Sequence, residues 1–253
     1  MNWLTDHLLQ IGGVRFLLVT DPAELHRQQS EGGRFVLGKT RSMVERIHAL
    51  GKTLGARRIL EIGIFKGGST VLYDKLFAPD RLVAVDLSAT PVAALAEYVA
   101  ANRREGAVRP HYGVNQDDSS RLRELLDANF PDRTLDLVVD DASHFYEETK
   151  ASFNASFPYL RDGGIYAIED WAWAHWPPDL WQEDGGLWKD KPAMSNLAVE
   201  LIMACASAPH LVRTVKVLPT LLVVERGEGA AEPGRFDVSK TYLNRGREFN
   251  LPL

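Results

Sequence analysis

Apolar positions along the chain cluster in short runs, and between the runs they recur at three- and four-residue spacing. Arg58–Gly63 (RILEIG), Arg81–Leu87 (RLVAVDL), Arg109–Val114, Leu135–Asp141 (LDLVVDD) and Gly164–Asp170 (GIYAIED) read as strands. Ser69–Phe77, Pro91–Arg103, Ser119–Asn129 and Glu147–Leu160 read as the helices between them. Strand and helix in alternation build a mostly parallel sheet covered on both faces, so the expected class is a doubly wound α/β fold. Val212–Leu218 and Leu221–Glu225 flank Pro219-Thr220 and predict an antiparallel hairpin at the C-terminal end, for seven strands in all. Upstream, Thr40–Leu54 has Met43, Ile47, Leu50 and Leu54 at helical spacing, whereas Val14–Thr20 fits a strand or a buried helical turn equally well. Residues 1–57 are expected as a mostly helical extension of the same domain, 58–226 as its core, and the Gly-, Pro- and charge-rich 227–253 as a surface tail.

Composition narrows the partners. Of 253 residues, 45% are hydrophobic and 25% charged, enough apolar surface for a sizeable core. The net charge of −5 lacks the basic footprint of a nucleic-acid binder. One cysteine, Cys205, forms neither an internal disulfide nor a thiolate zinc site. No apolar run reaches the roughly 18 residues of a membrane span, and MNWLTDHLLQIGG has no basic leader region. The expectation is a cytoplasmic protein off the membrane, with a homo-oligomer left open.

In open α/β sheets ligands sit beyond the carboxyl ends of the strands. Here those ends read Glu61-Ile62-Gly63, Asp86, Asn115-Gln116-Asp117-Asp118, Asp140-Asp141 and Glu169-Asp170, nearly all acidic. Glu61 to Thr70 is a glycine loop with Gly63, Gly67 and Gly68, but not the G-x-G-x-x-G that receives a pyrophosphate. Asp86, 23 residues after Gly63, can bridge a ribose 2′,3′-diol, and Gln116 to Asp118 can hold an adenine amino group. An acidic loop with no phosphate cradle favours a cationic nucleoside, and S-adenosyl-L-methionine has that chemistry. The candidate contacts are Glu61, Gly63, Phe65, Ser69, Asp86, Gln116, Asp117, Asp118 and Asp140. Neighbouring parallel strands lie about 4.8 Å apart, so the acids of DDASH and IED can face one cation, and hard oxygen ligands favour Mg²⁺, Ca²⁺ or Mn²⁺.

LEIGIFKGGST, VAVDLS and the acidic fourth strand resemble the class I S-adenosylmethionine-dependent methyltransferases, a Rossmann-like fold whose reversed last strands the hairpin also resembles. Over residues 58–177, VVDDASH and IEDWAWAHWP are similar to the metal-dependent sugar O-methyltransferases of macrolide biosynthesis, and less closely to the cephalosporin-type relatives of that group. The mycobacterial enzymes of methylmannose polysaccharide biosynthesis are a related possibility, with no motif here specific to them. The resemblance implies Asp141, Glu169 and Asp170 as Mg²⁺ ligands and His144 as general base. It also implies a glycoside or oligosaccharide hydroxyl as acceptor. Residues 1–57 match no arrangement that would fix the sugar.

Trp171, Trp173 and Trp176 follow directly on the acid pair, with Trp181 and Trp188 beyond. Such rings either form a lid over a sugar or anchor the loop to the core or to a second subunit. Three other functions stay open. A catechol-like small molecule would also offer two adjacent oxygens to a metal. Gly33-Arg-Phe-Val-Leu-Gly38-Lys39-Thr40 matches the phosphate-binding loop of a nucleotidase, although bulky Phe35, Val36 and Leu37 would hinder it. A protein that binds the cofactor without turnover is the third.

Overall fold

The computed structural model describes residues 1–177, 179–182 and 189–251, so Pro178, Gly185-Gly186 and Trp188 of the tryptophan stretch lie outside the described residues. The chain divides into two compact units, residues 1–114 and 115–253. Among the described residues, no helix is long and apolar enough to cross a membrane.

The first unit opens on a sheet, not on the mostly helical extension expected. Strands β1 (Asn2–Thr5), β2 (Leu8–Ile11) and β3 (Val14–Leu18) form an antiparallel meander. Helix α1 (Pro22–Arg27) then leads to β4 (Arg34–Leu37), which pairs parallel with β3. The reason is local. Gly12 and Gly13 take φ of +52° and +84°, the two-residue turn that suits a hairpin. Val14, Phe16 and Leu18 are buried on alternate positions, with exposed Arg15 between, the period of a strand.

β4 also overturns the nucleotidase reading. Phe35, Val36 and Leu37 lie buried in a ladder with β3 rather than in a loop open to phosphate. Lys39 is buried, and the Thr40 hydroxyl caps helix α2 (Arg41–Leu54) by accepting from the Met43 amide. α2 follows the expected periodicity: Met43, Val44 and Ile47 are buried, and Gly55 at φ +64° ends the helix.

The unit continues through β5 (Arg58–Ile62), α3 (Gly68–Phe77), β6 (Arg81–Asp86), α4 (Ala93–Ala101) and β7 (Val108–Tyr112). β5, β6 and β7 lie side by side and parallel. The runs of β5 and β6 are almost continuously apolar and buried because both faces are covered, whereas β7 (VRPHY), at the end of the row, is half-buried beyond Val108.

The second unit contains α5 (Ser119–Asn129), β8 (Leu135–Asp140), α6 (Tyr146–Ser156), β9 (Leu160–Glu169), α7 (Asp179–Gln182), α8 (Ser195–Ser207), β10 (Val212–Leu218) and β11 (Leu221–Arg226). β8 and β9 run parallel, and β11 and then β10 extend them antiparallel, as the hairpin reading expects. β5 to β11 are the seven strands of one mostly parallel α/β sheet, the architecture of the class I methyltransferase fold. In the register of β8 and β9, Asp140 is opposite Ile168, so Asp141 and Glu169 follow at matching tips.

A buried carboxylate ties this unit together. Glu200 of α8, 1% exposed, accepts from the Tyr146 hydroxyl at 2.7 Å, Lys150 Nζ at 2.9 Å, the Tyr242 hydroxyl at 2.9 Å and Ser239 Oγ at 3.2 Å. It thereby clamps α6 and the C-terminal segment to α8. Glu200→Ala strands a half-buried ammonium, the buried Tyr146 hydroxyl and the half-buried Tyr242 hydroxyl, and is expected to lower unfolding stability by about 2–3 kcal/mol. Urea denaturation checks this; a loss below about 1 kcal/mol would mean the clamp contributes only what an exposed pair does.

Candidate functional site

The residues of the first unit expected to contact a donor lie around the loop between β5 and α3. Gly63 has φ +103° and its amide donates to the Val85 carbonyl at 2.9 Å. Phe65 (φ +48°) and Gly67 (φ +75°) complete a turn that an ordinary chain avoids. Asp86 at the tip of β6 explains how it holds. Its Oδ2 accepts from the Ile64 amide at 2.9 Å and the Phe65 amide at 2.7 Å, and its Oδ1 from the Ser88 amide at 2.8 Å. An ionised carboxylate has about four acceptor positions, and three are occupied by the protein's own backbone. Asp86 is therefore first an organiser of the loop. Glu61 is buried at the end of β5, Ser69 lies in the first turn of α3, and the Phe65 ring is exposed.

The expected adenine-side residues lie in the second unit and are largely engaged there. Gln116 Nε2 donates to Asp140 Oδ1 at 2.7 Å and to Ser152 Oγ at 3.1 Å, and Gln116 Oε1 accepts from the Ser143 amide at 3.2 Å. Asp140 Oδ2 accepts from Ser152 Oγ at 2.6 Å and from the Tyr166 hydroxyl at 2.7 Å. All four side chains are buried. Burial pushes the Asp140 carboxyl up to about 6, against the pull of the Ser152, Tyr166 and Gln116 hydrogen bonds. Asp118 caps α5, accepting from the Arg121 amide at 3.0 Å and Ser120 Oγ at 2.7 Å, and these bonds hold it below the usual carboxylate range. Gln116, Asp140 and Asp118 thus brace the tips of β8 and α5, while Asp117 is exposed.

The acid and histidine cluster is the sharper feature. One donor atom each from Asp141, His144 and Asp170 lies within 4.8 Å of the others. The two carboxylates across that span fit a hard divalent ion with room for outside oxygens, whereas the imidazole is a donor that hard ions do not favour. Two of the three carry backbone strain: His144 has φ +58° and Asp170 φ +52°. Non-glycine residues held in the left-handed region concentrate at functional sites, because the surrounding structure must over-determine them. The Asp170 amide donates to the Thr220 carbonyl at 3.0 Å, which pins the tip of β9 to the β10–β11 turn. His144 Nδ1 is 3.4 Å from the Glu169 carbonyl oxygen, and Nε2 is 3.8 Å from Asp141 Oδ1. With Nδ1 donating to the carbonyl, the Nε2 lone pair faces the acids. Glu169, expected as a ligand, is buried and stands outside this group of three; His144 occupies the third corner.

The tryptophans divide their roles. Trp171 Nε1 donates to the Leu218 carbonyl at 2.8 Å, an anchor to the C-terminal hairpin. Trp173 stands against His144 with ring centroids 4.1 Å apart, and Trp181 packs on Trp173 at 4.4 Å and on Trp176 at 5.4 Å. Lys191 reaches back to the same wall, 3.0 Å from Glu148 and 4.3 Å from the Phe145 ring centroid. Sequence reasoning missed Tyr166, Ser152 and Lys191. Only Tyr166 left a signal, a polar group in the middle of an otherwise apolar strand.

Residues 60–171 match a family model described as a methyltransferase domain. The L-olivosyl-oleandolide 3-O-methyltransferase of Streptomyces antibioticus is 30% identical over 129 residues, 48% of this chain and 30% of that protein. The mycinamicin VI 2''-O-methyltransferase of Micromonospora griseorubida is 40% identical over 81 residues, 26% of this chain and 20% of that protein. The chain thus spans less than a third of the length of these curated relatives. Among solved structures, MycE methyltransferase of the mycinamycin biosynthetic pathway, in complex with Mg and SAH, superposes with a TM-score of 0.56 at 24% identity. It covers 74% of this chain and 51% of its own. The O-methyltransferase TomG of Streptomyces achromogenes superposes with a TM-score of 0.54 at 18% identity, covering 81% and 87%. The match to a methyltransferase-domain model thus falls on strands β5 to β9 of the seven-stranded α/β sheet.

Proposed function

We propose that the chain is an Mg²⁺-dependent O-methyltransferase that moves the methyl group of S-adenosyl-L-methionine to a sugar hydroxyl. The observation that carries this is the group Asp141, His144 and Asp170, with donor atoms within 4.8 Å at the tips of β8 and β9. Support for the acceptor class comes from the relatives, which are named for methylation of sugars on macrolides and related compounds.

Asp141 and Asp170 would hold the ion, and Glu61, Gly63 and Asp86 would face the donor. When bound, the donor supplies a methyl group on a sulfonium, and the ion supplies Lewis acidity for two neighbouring oxygens. The chain's residues do the rest. Asp86 has about one acceptor position left after the Ile64, Phe65 and Ser88 amides, so it would take a single ribose hydroxyl rather than bridge two. Its charge favours a cation and disfavours phosphates. His144 Nε2 takes the proton of the acceptor hydroxyl, and the Glu169 carbonyl on Nδ1 fixes the ring for that task and steadies the imidazolium that results. Trp173, tilted against His144 with ring centroids 4.1 Å apart, keeps water from the ring.

The experiment is transfer of a labelled methyl group to a panel of free sugars, glycosides and catechols, with Mg²⁺ and with EDTA. Label in a sugar that EDTA abolishes and Mg²⁺ restores is the expected result. Transfer only to catechols would overturn the acceptor class, and transfer indifferent to EDTA would overturn the metal.

A further inference from the structure

Lys66 lies inside the glycine loop, and its ammonium reaches α1 while standing 5.2 Å from the ring centroid of its neighbour Phe65. Nζ donates to the Leu25 carbonyl at 2.6 Å, the His26 carbonyl at 3.0 Å and the Gln28 carbonyl, all at the C-terminal end of α1. An ammonium has three donors and no acceptor, so these contacts use its whole capacity. The charge also sits at the negative end of a helix. Beside it the His26 ring meets Phe65 edge to face, with centroids 6.1 Å apart. On the other side of Gly67, the Gly68 backbone presses on β4: a Cβ there would stand 2.0 Å from the Val36 carbonyl oxygen. Residues 1–57 therefore grip the glycine loop from two sides, around the turn that holds Phe65, a non-glycine residue, at φ +48°.

From this geometry we infer that Lys66 is a positioning residue for the methyl donor, and that residues 22–30 form one wall of the donor site. The inference rests on the glycine loop being the donor loop. It gives a physical role to a segment that lies outside the matched methyltransferase domain.

The test uses the full chain. Binding of S-adenosylmethionine is measured by calorimetry for wild type, Lys66→Met, Lys66→Arg and Asp86→Ala, with amide exchange over residues 22–30 and steady-state kinetics alongside. Lys66→Met is expected to raise the donor Kd about tenfold, the loss of a charge-assisted set of hydrogen bonds. It should leave kcat at saturating donor within about twofold. Exchange over residues 22–30 should quicken, because the segment then opens locally. Lys66→Arg, which still donates to carbonyls, should recover most of the affinity. Faster exchange over 22–30 with an unchanged donor Kd would overturn the inference, as would a loss confined to kcat. Should Asp86→Ala bind the donor as wild type does, the donor-loop reading itself fails and the wall falls with it.

Discussion

Asparagine in place of Asp141 or of Asp170 is expected to reduce methyl transfer at least about a hundredfold, because each carboxylate supplies a large part of the field that would hold a divalent ion. Asparagine keeps the shape and one acceptor oxygen and removes the charge. It is also the right replacement at Asp170, where φ is +52°, because asparagine tolerates the left-handed region far better than a branched residue does. The loss should therefore be electrostatic and should not come from the fold. Turnover measured against Mg²⁺ concentration separates the possibilities: half-saturation moves to much higher Mg²⁺ when a ligand charge is lost. Wild-type turnover by Asp141→Asn at ordinary Mg²⁺ would remove it from the site. Glu169→Gln adds a second distinction. The contact of Glu169 with His144 is made by its backbone carbonyl, so the substitution leaves that contact intact. A loss equal to that of Asp141→Asn would make Glu169 the third ligand.

Much of this fold was legible in the spacing of apolar residues. LDLVVDD and GIYAIED announce buried parallel strands because covered strands have no polar face to show. The hairpin after Val212 was legible from two apolar runs around a turn dipeptide. β1 and β2 were not, since four-residue strands give too few positions for a period, although Gly12-Gly13 was a usable turn signal. The site was legible as a set of acids at strand ends, but the division of labour among them was not. Asp140 and Asp141 are neighbours in sequence. One turns inward to Gln116, Ser152 and Tyr166, and the other turns out toward His144. Gln116 and Tyr166 lie 24 and 26 residues from Asp140, so no local pattern links them. Asp86 shows the same limit: a strand-end acid can serve a ligand or the backbone, and only the Ile64 and Phe65 amides reveal how much of it is already committed.

Removing the imidazole should give the second large effect. His144→Ala is expected to lower kcat by about 10²- to 10⁴-fold, the range for a positioned general base, with the donor KM nearly unchanged. The sign of the pH response follows from the same role. A base works only when unprotonated, so wild-type kcat/KM should fall as the pH is lowered, and His144→Ala should lose that acidic limb. The geometry also admits a different role, since His144 is close enough to Asp141 and Asp170 to ligate. The two roles part in a titration with Mg²⁺. If His144 were a ligand, the alanine variant would need far more Mg²⁺ and would regain turnover once saturated. If it is the base, Mg²⁺ affinity changes little and saturation restores nothing. Trp173→Ala serves as the graded companion: it uncovers His144 without removing the proton acceptor, so its kcat should lie between the two. Its loss should also shrink as acceptor binding excludes water by other means. A kcat for His144→Ala within about threefold of wild type at saturating Mg²⁺ would take the proton transfer away from this residue. Deprotonation would then have to come from another group near the strand tips.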